Sequence, residues 1–259
     1  MSELVIAKNF VLIPAKSHNA LVIRRGPSKQ VGIFSLNLKS KEVQCFQWLK
    51  GRIYEYFCDI SSDGKYLIYS AIQKGESYTV ISKAPWLKAL SLWRNVGGCG
   101  GGLISKDASY MLFDGDESYN EFRSSDCKAS YSDRQVLENG VYSARLELSG
   151  WKLKESNEQQ KVFVKKLGKN TVLEKIWHKW SSTSEVGKPS LWEHHELIVK
   201  GERIKKNHWE WCEEYKNYLY WSEHGKIYRT QKARLDSVDD YELVHDFNSY
   251  EFVEMAAPY

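Results

Sequence analysis

The chain has 259 residues, 42% of them hydrophobic and 27% charged, enough to build one large domain or two small ones. Aromatic residues reach 14%, with 10 Trp and 16 Tyr, which excludes a disordered or low-complexity chain. The net charge of +4 is mild but blockwise: residues 1–100 hold 14 basic and 6 acidic side chains, 101–150 hold 5 and 9, 151–200 hold 10 and 6, and 201–259 hold 8 and 12.

Glu3 and Lys8 interrupt the first apolar residues, so no export signal is expected. The apolar runs fall far short of the ~18 residues of a membrane span. The expected compartment is the cytoplasm. Five cysteines (Cys45, Cys58, Cys99, Cys127 and Cys212) form no CxxC pair, so neither a disulfide framework nor a zinc knuckle is expected.

Along the chain, strand signals dominate. Residues 20–23, 31–36, 66–69, 78–81, 110–113, 161–164 and 218–221 are short runs rich in β-branched and aromatic side chains, bounded by Gly, Asp, Asn and Ser. Helical patterning is weak and local. It touches 85–93, where Trp86, Leu87, Leu90 and Trp93 are spaced nearly as on a helix, and 141–148, closed by Gly150. Residues 191–199 fit either helix or strand. The expected fold class is all-β.

The strands carry a repeat. Ser61-Ser62-Asp63-Gly64-Lys65-Tyr66-Leu67-Ile68-Tyr69 recurs as Ser105-Lys106-Asp107-Ala108-Ser109-Tyr110-Met111-Leu112-Phe113, 44 residues later. A looser copy begins at Ser17, and a fourth, out of step, runs over 214–221. A turn followed by an apolar strand at a period of ~40–50 residues is the pattern of a propeller blade. The stretch from Ser62 to Tyr69 resembles the Ser-Pro-Asp-Gly-Lys turn and strand of bacterial TolB-like (PD40) β-propeller repeats, with Ser in place of Pro. The resemblance implies a propeller and no particular function, because propellers host enzymes, lectins and scaffolds alike. We expect a single propeller domain over 1–259, with five blades or, in competition, six. Residues 125–205, which break the period, are expected to hold a degenerate blade or inserted loops. Residues 9–14 and 246–259 both read as a strand running into proline, and are expected to close the ring by sharing a blade.

Candidate sites are few. The string Gly97-Gly98-Cys99-Gly100-Gly101-Gly102 lacks the Gly-Lys-Ser/Thr of a phosphate loop, and it fits close approach of neighbouring backbones. His208, Glu210 and Cys212 would share one strand face, but they form one loose set where a metal site usually shows two tight pairs. No metal or cofactor is expected. Asp63 and Asp107 read as turn residues rather than a catalytic acid pair. No Gly-x-Ser-x-Gly or His-Glu-x-x-His motif occurs.

Tryptophan and histidine concentrate in the second half, where Trp177, Trp180, Trp192, His194, His195 and Trp209 are the expected partner-binding residues. The function expected from this set is a monomeric, non-catalytic scaffold that binds another protein, with neutralisation of a bacterial toxin or enzyme as one form of that role. The alternative is a glycosidase-like or other hydrolase with acids at the propeller channel, or a lectin-like sugar binder. A small ligand or sugar fits the aromatic content. Nucleic acid rests only on the basic first hundred residues and ranks last.

Overall fold

All seven apolar runs predicted as strands fall on strands in the computed structural model, which describes residues 6–26, 29–95, 100–113, 120–129, 140–179, 191–235 and 240–259. The residues divide into two compact units, Met1–Arg145 with Asn248–Tyr259, and Leu146–Phe247. No helix among the described residues is long and apolar enough to cross a membrane.

The first unit opens with a four-stranded meander of β1 (Lys8–Leu12), β2 (Asn19–Arg25), β3 (Gln30–Asn37) and β4 (Val43–Lys50), in that spatial order. Strands β2 and β3 are buried along nearly their whole length, which explains their continuous apolar sequence. Two short strands, β5 (Arg52–Ile53) and β6 (Asp59–Ile60), then lead into β7 (Tyr66–Gln73), β8 (Glu76–Lys83) and β9 (Ala89–Arg94). Strands β10 (Gly102–Ile104), β11 (Ser109–Leu112), β12 (Asn120–Arg123) and β13 (Lys128–Ala129) follow. Ile68, Ile81, Trp93, Ile104 and Tyr110 meet in one buried cluster. The second unit holds a five-stranded sheet of β14 (Lys152–Ser156), β15 (Gln160–Lys166), β16 (Thr171–His178), β17 (Trp192–Val199) and β18 (Glu202–Lys206). A four-stranded meander follows, of β19 (Trp211–Tyr215), β20 (Tyr218–Glu223), β21 (Lys226–Gln231) and β22 (Glu242–Asp246).

Four of the five described sheets are of propeller-blade type, two in each unit, instead of the five or six blades expected. The strands after β9 account for the difference. Strand β12 leaves its own neighbourhood and pairs antiparallel with β9, extending the preceding sheet. The remainder is a three-stranded sheet in which β11 pairs in parallel with β13, so the second copy of the repeat does not build a blade meander.

The expected sharing of one blade by the two chain ends is also corrected. Strand β1 lies at the edge of the first sheet and β22 at the edge of another, while residues 250–259 carry no strand. Residues 248–259 instead bind unit one through side chains. Asn248 Oδ1 accepts the Ala7 N–H at 2.9 Å, and Gln47 Nε2 donates to Met255 O at 2.8 Å. The Tyr259 hydroxyl accepts the Lys83 N–H at 3.1 Å and donates to Lys88 O at 2.7 Å.

Residues 85–93, read as weakly helical, lead into strand β9, because pairing with β8 satisfies the backbone there. Residues 191–199 resolve as β17. The short helix α1 (Val141–Leu148) forms where expected, and Gly150 follows it at φ +85°.

The repeat is visible as geometry. Ser61 Oγ donates to Asp63 Oδ1 at 2.9 Å and accepts the Tyr66 N–H at 2.9 Å. Ser105 Oγ likewise donates to Asp107, whose carboxylate also accepts the Ser109 N–H at 3.2 Å. Hydrogen bonds from the Ser105 and Ser109 side chains hold the Asp107 carboxyl down at about 2. The next residue turns left-handed in both copies, Gly64 at φ +78° and Ala108 at φ +61°. Gly64→Ala is therefore expected to cost about 1 kcal/mol, since an L side chain is strained at that φ and the new methyl would sit 3.2 Å from Pro14 Cγ. A shift of the denaturant midpoint at unchanged slope would measure it.

Candidate functional site

Strand ends in unit one collect cations. Arg25 closes β2, Lys29 lies in the β2–β3 turn, Lys50 closes β4, Arg52 opens β5 and Lys74 sits in the β7–β8 turn. Register brings these distant segments together. Gln30 pairs with Lys50, Arg52 pairs with Ile72, and the Gly51 N–H donates to Lys29 O at 2.8 Å. The five side chains line one pocket of about 800 Å³, whose apolar wall is Val31, Tyr54 and Ile72. No carboxylate lines it among the described residues.

The pocket's charge is only partly balanced. Arg25 pairs with the buried Glu55 at 2.9 Å. The Arg52 guanidinium lies 4.7 Å from the Tyr54 ring centre, and the Lys50 ammonium 4.6 Å from that of Phe252. Lys29, Lys50, Arg52 and Lys74 are exposed. A cleft lined by one sign of charge focuses its field, concentrates anions and speeds their association. Sequence reading missed this site. Its signal was the basic excess of residues 1–100, but the five cations are spread over fifty positions and only sheet pairing gathers them.

In unit two, the residues expected to bind a partner separate onto two faces of one sheet. Trp177 lies opposite Glu193, and Lys175 opposite His195, all buried. His178 lies opposite Trp192 on the other face, which His194 shares. There His178 and Trp192 stack with ring centres 3.8 Å apart, and His178 Nε2 is 2.9 Å from His194 Nδ1. All three are half-buried. Trp209, buried, stacks on Trp221 at 4.8 Å. Trp180 lies outside the described residues, as do Gly97, Gly98 and Cys99.

The inner face holds a cluster of charge. The Lys175 ammonium is 3.6 Å from Glu193 Oε1, donates to Cys212 O at 3.1 Å and lies 4.9 Å from the Trp151 ring centre. His195 sits between Glu193 Oε1 (Nε2, 3.3 Å) and Trp209 O (Nδ1, 3.3 Å). Burial lowers the His195 pKa despite the adjacent carboxylate, which keeps the imidazole neutral near pH 7. Burial also pushes the Cys212 thiol well up, so it stays protonated and is a poor nucleophile. His208 and Glu210 lie in the link before β19 and only Cys212 is on that strand, so the three do not share a strand face.

No family model matches the chain, and no curated protein matches it. Among solved structures it is similar to an uncharacterised protein from Listeria monocytogenes EGD-e, at 10% identity and TM-score 0.34, over 86% of this chain and 62% of that one. It is also similar to prolyl oligopeptidase B from Galerina marginata, at 10% identity and TM-score 0.25, over 93% of this chain and 34% of that one. The chain thus spans less than two thirds of the length of either.

Proposed function

We propose that this protein is a non-catalytic binding scaffold, built of TolB-like blades, that engages an acidic segment of another protein at the basic pocket of unit one. The observation that carries this reading is the pocket wall itself: five cations, no carboxylate among the described residues, and an apolar side of Val31, Tyr54 and Ile72. An acidic segment supplies the missing counter-charge, and an apolar side chain flanking its carboxylates would cover the apolar wall. Charge complementarity of this kind sets specificity and association rate more than raw affinity.

The test is fluorescence anisotropy with a labelled peptide in which Asp and Glu alternate with Leu, against a peptide with Gln and Asn in their place. Binding of the acidic peptide is expected to fall at least tenfold in the Lys29→Glu/Lys74→Glu protein and to weaken as salt rises. Both positions are exposed, so the fold should be retained, which circular dichroism checks. Equal binding by wild type and the double variant would overturn the assignment of the pocket. Tighter binding of a single-stranded oligonucleotide than of the peptide would overturn the choice of partner.

A further inference from the structure

The β20–β21 turn and the link before β19 bring together three side chains that the binding pocket does not use. We propose that His208, Glu223 and His224 form a site for one divalent transition metal ion of zinc type. Glu223 closes β20 and His224 follows it in the turn at φ +50°, a left-handed conformation that His adopts more readily than most residues. His208 lies in the link between β18 and β19. That link is fixed by its neighbours: the Trp209 indole stacks on Trp221, and the Glu210 N–H donates to Ser222 O at 2.8 Å. These bonds continue the β19–β20 register past Trp211 and Ser222, so His208 falls beside the turn that carries His224.

The imidazole centres of His208 and His224 are 5.3 Å apart, and His224 Nε2 is 3.8 Å from Glu223 Oε1. The ligand atoms of all three residues lie within 4.8 Å of one another, the one such group of three among the described residues. Ligands ~2.0–2.2 Å from a tetrahedral ion are roughly 3.4 Å apart, so a small rotation of exposed side chains completes the geometry. Lys226, across the hairpin from Glu223, directs its ammonium to Asp246 at 3.5 Å. Two imidazoles and one carboxylate suit Zn²⁺, Co²⁺, Ni²⁺ or Cu²⁺ rather than Ca²⁺ or Mg²⁺, which prefer oxygen ligands throughout. Three protein ligands leave a coordination position for water.

Tag-free, chelator-treated protein titrated with Zn²⁺ in a calorimeter should bind one equivalent, and Co²⁺ should give a visible d–d spectrum. His208→Ala and His224→Asn should each weaken Zn²⁺ binding at least tenfold and abolish the Co²⁺ band. Asn is chosen at 224 because it tolerates the left-handed backbone. His18→Ala, a histidine in the other unit, should leave binding unchanged and so exclude non-specific imidazole uptake. Absence of stoichiometric uptake by the wild type up to millimolar Zn²⁺, or binding that survives both variants, would overturn the site.

Discussion

Lys175→Met is expected to destabilise the protein by about 3–5 kcal/mol. Lys175, Glu193 and His195 are enclosed, the last fully so, and the Lys175 ammonium is the cation that faces the Glu193 carboxylate at 3.6 Å. In the wild type His195 is not a second cation for it, because burial, with the Lys175 charge adding to the effect, lowers the imidazole pKa. The variant therefore leaves a carboxylate inside the sheet without its counter-charge, and it also removes the donor to Cys212 O. The large figure is the penalty of a stranded charge, not the net worth of the pair. It follows that Lys175→Met/Glu193→Leu should recover most of the loss, since replacing a buried pair by apolar groups is often neutral or stabilising. Urea unfolding of the two variants and of Glu193→Leu alone measures both statements. A loss under about 1 kcal/mol for Lys175→Met would mean that Glu193, or His195 beside it at 3.3 Å, takes up a proton readily once Lys175 is gone.

Gly102→Ala comes second, with an expected loss of about 2–4 kcal/mol. A Cβ at Gly102 would lie 2.1 Å from Met111 O and 2.9 Å from Ile68 Cδ1. The first of these atoms is backbone, in the strand that β10 pairs with through Gly102 and Leu112, so relief requires β10 and β11 to part. Leu103 and Ile104 would shift with β10, and both are buried. Gly168→Ala is the control: a methyl group there would meet nothing within 4 Å, and the change should stay within about 0.5 kcal/mol of wild type. Similar midpoints for the two variants in thermal unfolding would refute the steric account.

The contrast between these residues shows what was legible in the sequence. A Gly-rich stretch pointed to close backbone approach, and Gly102 has it against Met111 O. The hydroxyl–carboxylate turns at Ser61 and Ser105 were readable because their hydrogen bonds span two to five residues. The seven strand cores and the short helix at 141–148 were readable for a similar reason: β-branched runs, bounding turn residues and a closing glycine are local signals. Local signals failed at 85–93, where near-helical spacing belongs to a turn and a strand, and pairing with β8 decided between them.

The sequence alone thus determined the all-β class, the blade-type turn and strand, and the basic excess of the first hundred residues. Tertiary structure decided the number of blade-type sheets, because β12 pairs back onto β9 rather than staying with β11. It decided that residues 248–259 are held by side chains and not by a ladder. It also decided which charges meet. Arg25, Lys29, Lys50, Arg52 and Lys74 surround one pocket, and Lys175, Glu193 and His195 close on one another, only through the registers of β3 with β4, β5 with β7 and β16 with β17. The physical reason is range. Turn chemistry and side-chain alternation act over a few residues, whereas convergence of charge depends on which distant segments pair and in what register, and a slip of one residue would turn every side chain of a strand to the opposite face.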